Sequence, residues 1–191
     1  MLIPLGILAS AGGTLPTGDY ELIETTVLSS TTSGVVFSNL GQYASTYKHL
    51  QIRATIRGSL SALTDTISIR FNGDTGSSYS QHGLAGTGTS VVSFSASPAV
   101  VTSGAIGNAV AASAISNVFT GAVIDILDAF STSKNKVFRA LTGYAAATTL
   151  NLVGLVSGNY SNTASITSIN IYAGNASFVA GTRISLYGVK G

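Results

Sequence analysis

The sequence has no cysteine and no tryptophan, one methionine and three prolines. Without cysteine there is neither a disulfide framework nor a thiolate metal site, so the fold must rest on its core alone. Charge is nearly as scarce: Asp, Glu, Lys and Arg make up 8% of the chain, against about 25% in an average domain. Much of the surface must then consist of small hydroxyl groups or lie hidden against partners. Nine basic and seven acidic residues leave a net charge of +2. The basic residues are scattered, with no basic run and little aromatic interleaving, so nucleic acid is not an expected partner. No stretch reaches the ~20 apolar residues of a membrane helix, so no membrane is expected either.

What is present is Ser, Thr, Gly and Ala in quantity, with β-branched and aliphatic residues at alternating positions. A chain of 191 residues suits one domain, and at that size a full core forms without staples. Residues 1–19 read as an N-terminal arm and residues 20–191 as a single β-sandwich domain. The arm begins Met1–Ala11 (MLIPLGILASA). It lacks the positive n-region of a secretory signal, and Pro4 and Gly6 interrupt its apolar run. An exposed apolar arm serves an assembly, where a neighbour covers it. Leu2, Ile3, Leu5, Ile7 and Leu8 are the expected partner-binding residues. Gly12, Gly13, Pro16, Gly18 and Asp19 close the arm with turn chemistry.

Strand signals follow to the end of the chain. Tyr20–Leu28 and Gly34–Leu40 come first. In Tyr47–Arg57, Leu50, Ile52, Ala54 and Ile56 alternate with Gln51, Arg53 and Thr55, giving one dry face and one wet face. Asp65–Phe71 repeats the pattern, and Asn72-Gly73 supplies the positive φ angles of a tight hairpin turn. Asn117–Leu127, Lys136–Tyr144, Thr149–Val156, Ser165–Tyr172 and Thr182–Val189 are further strands. Between Ser78 and Ser116 the periodicity fades: Val91–Ser95 reads as a short strand, Ser97–Ala114 as a long loop, and Ala109–Ala114 as the best helical candidate. Nine or ten strands at short spacing predict an all-β fold, a jelly-roll-type β-sandwich. The expected core is Leu50, Ile52, Ile56, Ile67, Ile69, Val123, Ile124 or Ile126, Leu152, Ile169, Ile171, Ile184 and Leu186.

The residues that could carry chemistry are few. His49 lies on the wet face of its strand. His82 follows Asp74 and several serines, but serine is so common here that proximity alone does not make a triad, and no nucleophile elbow is present. Asn72–Gly76 holds one carboxylate where a calcium loop needs several. Asp125 and Asp128, and Glu21 and Glu24, are spaced three apart, which on a strand points them to opposite faces. Gly83-x-x-Gly86-x-Gly88 lacks the lysine and helix of a phosphate loop. Tyr43, Tyr47, Tyr79, Tyr160, Tyr172 and Tyr187 could line a sugar-binding surface, although tyrosine at strand ends packs its ring in the core and leaves its hydroxyl wet. The reading is of a chain that is not an enzyme, with no catalytic residue, no cofactor and no metal ligand.

Three segments carry a family resemblance: Tyr47–Arg53 (YKHLQIR), Arg70–His82 (RFNGDTGSSYSQH) and Gly181–Lys190 (GTRISLYGVK). They resemble small virion proteins of tailed bacteriophages, including cyanophages, of the head decoration (cement) or tail-fibre type. The resemblance covers about half of the chain, and its motifs are structural. It implies a homotrimer on the outer surface of the phage head, with the major capsid protein and further copies of itself as partners. The alternative it implies is a tail-fibre, receptor-binding protein that recognises a host surface glycan. Cement is favoured by the apolar arm and by the lack of a coiled-coil or repetitive shaft in this sequence. A lectin-like secreted module is the third reading.

Overall fold

Alternating side chains commit each strand to one dry face, and such strands are stable only when two sheets bury those faces against each other. The computed structural model, which describes residues 18–147 and 150–191, shows this arrangement. In chain order the strands are β1 (Tyr20–Val27), β2 (Gly34–Phe37), β3 (His49–Ile56), β4 (Thr64–Phe71), β5 (Tyr79–Gly86), β6 (Val91–Val101), β7 (Gly104–Val110), β8 (Thr120–Leu127), β9 (Lys136–Ala147), β10 (Leu150–Tyr160), β11 (Ile169–Ala173) and β12 (Arg183–Val189). The protein is an all-β sandwich of two antiparallel sheets. One has eight strands in the order β1-β12-β3-β8-β9-β10-β5-β6, and the other has four in the order β2-β11-β4-β7. The chain alternates between sheets at β1 to β4, and the β5–β6 and β9–β10 hairpins widen the larger sheet.

The core fills the space between the sheets. Leu50, Ile52 and Ile56 of β3, Ile124 and Ile126 of β8, and Ile184 and Leu186 of β12 face Ile67 and Ile69 of β4 and Ile169 and Ile171 of β11, all with at most 1% exposure. Each such side chain, fully buried, contributes about 1.5–3 kcal/mol. At one end, Phe71, Tyr79, Phe138 and Tyr160 form an aromatic cluster, with Tyr79 and Tyr160 stacked at 4.8 Å. The Phe138 ring lies so close over Gly158 that a Cβ there would sit 2.0 Å from its Cζ, which fixes glycine at that position. A buried lysine closes the same end. Lys136 Nζ donates to the carbonyls of Ser131, Lys134 and Thr163 at 2.7–3.1 Å.

The structure corrects several sequence expectations. Ser97–Ala114 is not a long loop: most of it lies in β6 and β7, and Ala109–Ala114 is the end of β7 and the turn after it, not a helix. Small residues gave this region little period, but its pairing with β5 and β4 supplies the hydrogen bonds, and Ile106, Ala109 and Val110 are buried. Asn72 and Gly73 do have positive φ, 54° and 66°. They close no hairpin, because β4 and β5 belong to different sheets and the turn carries the chain between them. Asn72 also holds a neighbouring segment: its side-chain amide donates to the Ser165 carbonyl and accepts from the Thr167 and Ser168 N–H groups. Val123 was expected in the core and lies on the outer face, since β8 buries Ala122, Ile124 and Ile126 instead. Leu152 is half-buried against a satellite cluster of Val110, Ala114, Tyr144 and Ala146. The arm residues Leu2, Ile3, Leu5, Ile7 and Leu8 lie outside the described residues.

Candidate interaction face

The smaller sheet covers one face of the larger one. On the opposite, outward face, the strand registers align side chains into rows that run across the sheet. One row reads Tyr187, Gln51, Asp125, Arg139, Ser157, His82, Ser95 from β12 to β6. It is polar throughout. The next reads Ser185, Arg53, Val123, Leu141, Leu155, Leu84, Ser93. Its four central residues are apolar and sit on four adjacent strands, β8, β9, β10 and β5. Val123 is 37% exposed, Leu141 52%, Leu155 53% and Leu84 54%. Val153, in the row beyond, is 62% exposed and widens the strip. Single exposed leucines are ordinary, but side chains contiguous across four strands form a patch of the kind that marks an interaction site.

The polar row is held together by its own hydrogen bonds. Gln51 Nε2 donates to Asp125 Oδ1 at 2.7 Å, and Arg139 Nη2 lies 3.4 Å from Asp125 Oδ2. Arg53 Nε donates to Gln51 Oε1 at 3.0 Å, and the Tyr20 hydroxyl donates to the same oxygen. The Arg53 guanidinium lies over the rings of Tyr20 and Tyr187, 5.0 and 5.5 Å from their centroids, and the two rings stack at 4.9 Å. Such stacking fixes the long arginine side chain on the surface. A shallow trough of about 600 Å³ runs beside it over Gly121 and Gly143, walled by Arg53, Arg183 and Tyr187 on one side and by Val123, Leu141 and Val153 on the other. The face therefore offers an apolar strip, a preorganised polar band and a trough, which together favour contact with a polypeptide surface.

The residues singled out for chemistry are placed elsewhere. His82 faces outward from β5, between Ser157 and Ser95 in register. The Asp74 carboxylate accepts instead from the Gly76 N–H at 2.7 Å and the Tyr160 hydroxyl at 2.9 Å. The Gly76 bond, with the Tyr160 hydroxyl helping, holds that carboxyl below its ordinary range against the opposing effect of burial. His49 Nδ1 accepts the Asp128 N–H at 2.8 Å, and Asp128 pairs with Lys134 at 2.6 Å. Asp125 belongs to the polar row. Among the described residues no cluster of three or more His, Cys, Asp or Glu could hold a metal ion. Glu21 accepts from the Tyr47 hydroxyl at 2.6 Å and pairs with Lys190 at 3.6 Å. A bulge between Leu22 and Glu24 breaks the alternation: Glu21 sits opposite Gly188 and Glu24 opposite Leu186, which share a face of β12, so these positions do not keep the opposite faces expected of them. Gly83 and Gly86 are strand residues of β5.

The tyrosines do not assemble a common surface. Tyr79 and Tyr160 are core residues, Tyr47 is 8% exposed, Tyr172 carries the Arg70 guanidinium over its ring, and Tyr187 stacks on Tyr20. The apolar strip escaped sequence reasoning because alternation alone does not say which of two apolar faces is covered. The run Val123-Ile124 places valine and isoleucine on opposite sides, and that pair was the available signal.

No family model, curated protein or solved structure matches this chain.

Proposed function

We propose that this chain is a non-enzymatic structural protein of a phage virion, a decoration (cement) protein that binds as a homotrimer to the outer surface of the head and stabilises the shell. The observation that carries this reading is the contiguous apolar strip on the outward face of the larger sheet. An unliganded enzyme would need a cleft with converging titratable groups. Here the most developed surface feature is instead a broad face of mixed apolar and hydrogen-bonded polar character. The strand order supports a jelly roll: β1-β12-β3-β8 over β2-β11-β4-β7 is two interlocked antiparallel keys, with β5–β6 and β9–β10 as additions to one sheet. The resemblance of Tyr47–Arg53, Arg70–His82 and Gly181–Lys190 to phage virion proteins supports the location. In this reading the arm residues Leu2, Ile3, Leu5, Ile7 and Leu8 reach neighbouring subunits, and the major capsid protein is the surface beneath.

The test is addition of the purified chain to expanded heads that lack it. The full chain should bind saturably and raise the temperature at which the heads release their DNA. A chain deleted for residues 1–11 should bind more weakly and protect less. No binding to heads, together with binding to host cells or their surface glycans, would favour the receptor-binding alternative and overturn this reading.

A further inference from the structure

We propose that the apolar strip of Val123, Leu141, Leu155, Leu84 and Val153 is the receptor for the Leu2–Leu8 segment of a second copy of this chain. The inference rests on the virion-assembly reading and names the contact that builds the oligomer. Three observations carry it. The first is chemical match: the strip holds only aliphatic side chains, and Leu2–Leu8 (LIPLGIL) is aliphatic apart from its proline and glycine. The second is length. The strip crosses four adjacent strands, three spacings, or about 14 Å. An extended Ile3–Ile7 puts Ile3, Leu5 and Ile7 on one side over about 13 Å.

The third observation decides between a second copy and the chain's own arm. The described chain starts at Gly18, beside β1 at one edge of the larger sheet, and β12 and β3 separate it from the strip. The direct route passes over Tyr20, Tyr187, Arg53 and the Gln51–Asp125–Arg139 band. Residues 9–17 (ASAGGTLPT) contain no charge. Laid across that band they would desolvate Arg53 and Asp125 and offer them no ionic partner. From the β5–β6 side the outward face presents Ser95, Ser93 and the exposed Val91 of β6, which a neighbour's uncharged arm crosses without that cost. Each copy then donates an arm and receives one. This is a heterologous contact, and a ring of three closes it.

The chain has no cysteine, so introduced thiols report cleanly. Leu5→Cys and Leu155→Cys proteins, prepared separately, are mixed and oxidised. A parallel mixture uses Leu5→Cys with Leu63→Cys, an exposed position off the strip. Covalent dimer should form at least about tenfold faster in the first mixture, an effective-concentration gain that only a bound arm supplies. Equal rates would overturn the proposal. So would a doubly substituted Leu5→Cys/Leu155→Cys chain that closes on itself without forming dimer, since that places the arm on its own domain. A second variant, Leu141→Ser/Leu155→Ser, should lose oligomer in light scattering as deletion of residues 1–11 does, and an unchanged oligomer would contradict the inference. Head binding is scored separately. Arm exchange without head binding would fail the cement reading and leave this contact standing, whereas head binding by a chain that shows no arm exchange would do the reverse.

Discussion

At the scale of single residues, the tyrosines show how burial and partners set chemistry. Burial pushes the Tyr79 hydroxyl up to about 12 from its ordinary 10.0. Tyr47 rises to about 12 chiefly through its hydrogen bond to Glu21, with burial adding to it. Burial raises Tyr160 still further, and the Asp74 carboxylate adds to the effect. A group whose folded pKa is raised contributes stability that is fully present below its unfolded pKa. That stability is lost as pH climbs from about 10 through the folded value. The protein should therefore be insensitive to these phenols up to pH 10 and lose stability steeply between about pH 10 and 12. In an absorbance titration of phenolate, Tyr47, Tyr79 and Tyr160 should be missing from the first step and appear with unfolding, and Tyr79→Phe should shrink the late step. All eight tyrosines ionising together near pH 10 would contradict the packing described. The ring's place in the core was legible from strand-end tyrosines. The pairing of Tyr160 with Asp74, 86 residues apart, was not, because it depends on the long-range pairing of β10 with β5, which sets Tyr160 opposite Tyr79 beside the Asp74 turn.

At the scale of the element, β3, β4, β11 and β12 were legible because strict alternation and β-branched residues mark a strand with one covered face. β6 and β7 were not. The end of β6 and all of β7 (SPAVV and GAIGNAV) mix small and apolar residues without a clear period of two, and the pairing that stabilises these strands comes from β5 and β4. In β8 the position of each residue was ambiguous, since Val123, Ile124 and Ile126 are all apolar. The structure separates them: Ile124 and Ile126 are fully buried and Val123 is not. Ile124→Ala should therefore cost about 2–5 kcal/mol in denaturant unfolding. Val123→Ala should fall within about 0.5 kcal/mol of the parent, as surface changes do. Equal costs would mean that both faces of β8 are covered in the isolated chain, and the outward face would then not be free to bind anything. The Leu22/Glu24 bulge has a similar lesson. One extra residue in an edge strand changes which side chains share a face, and nothing in the local sequence YELIETTV announces it.

At the scale of the whole molecule, the fold class followed from composition and period, while the outward apolar strip followed only from topology. The four-stranded sheet packs on one face of the eight-stranded sheet, and among the described residues no layer covers the other face, where the strip lies. The hairpins β5–β6 and β9–β10 carry most of the exposed aliphatic residues there, so the additions to the sandwich are also what supply the strip. Low charge fits this account, since a chain with 8% charged residues has few groups to desolvate when it is packed against neighbours. The proposed function requires many copies of this chain on the head. Its most direct test is quantitative mass spectrometry of purified heads and purified tails from the same particles. Heads should hold this chain in a fixed stoichiometric ratio to the major capsid protein, and tails should hold none of it. A handful of copies confined to the tail would contradict it.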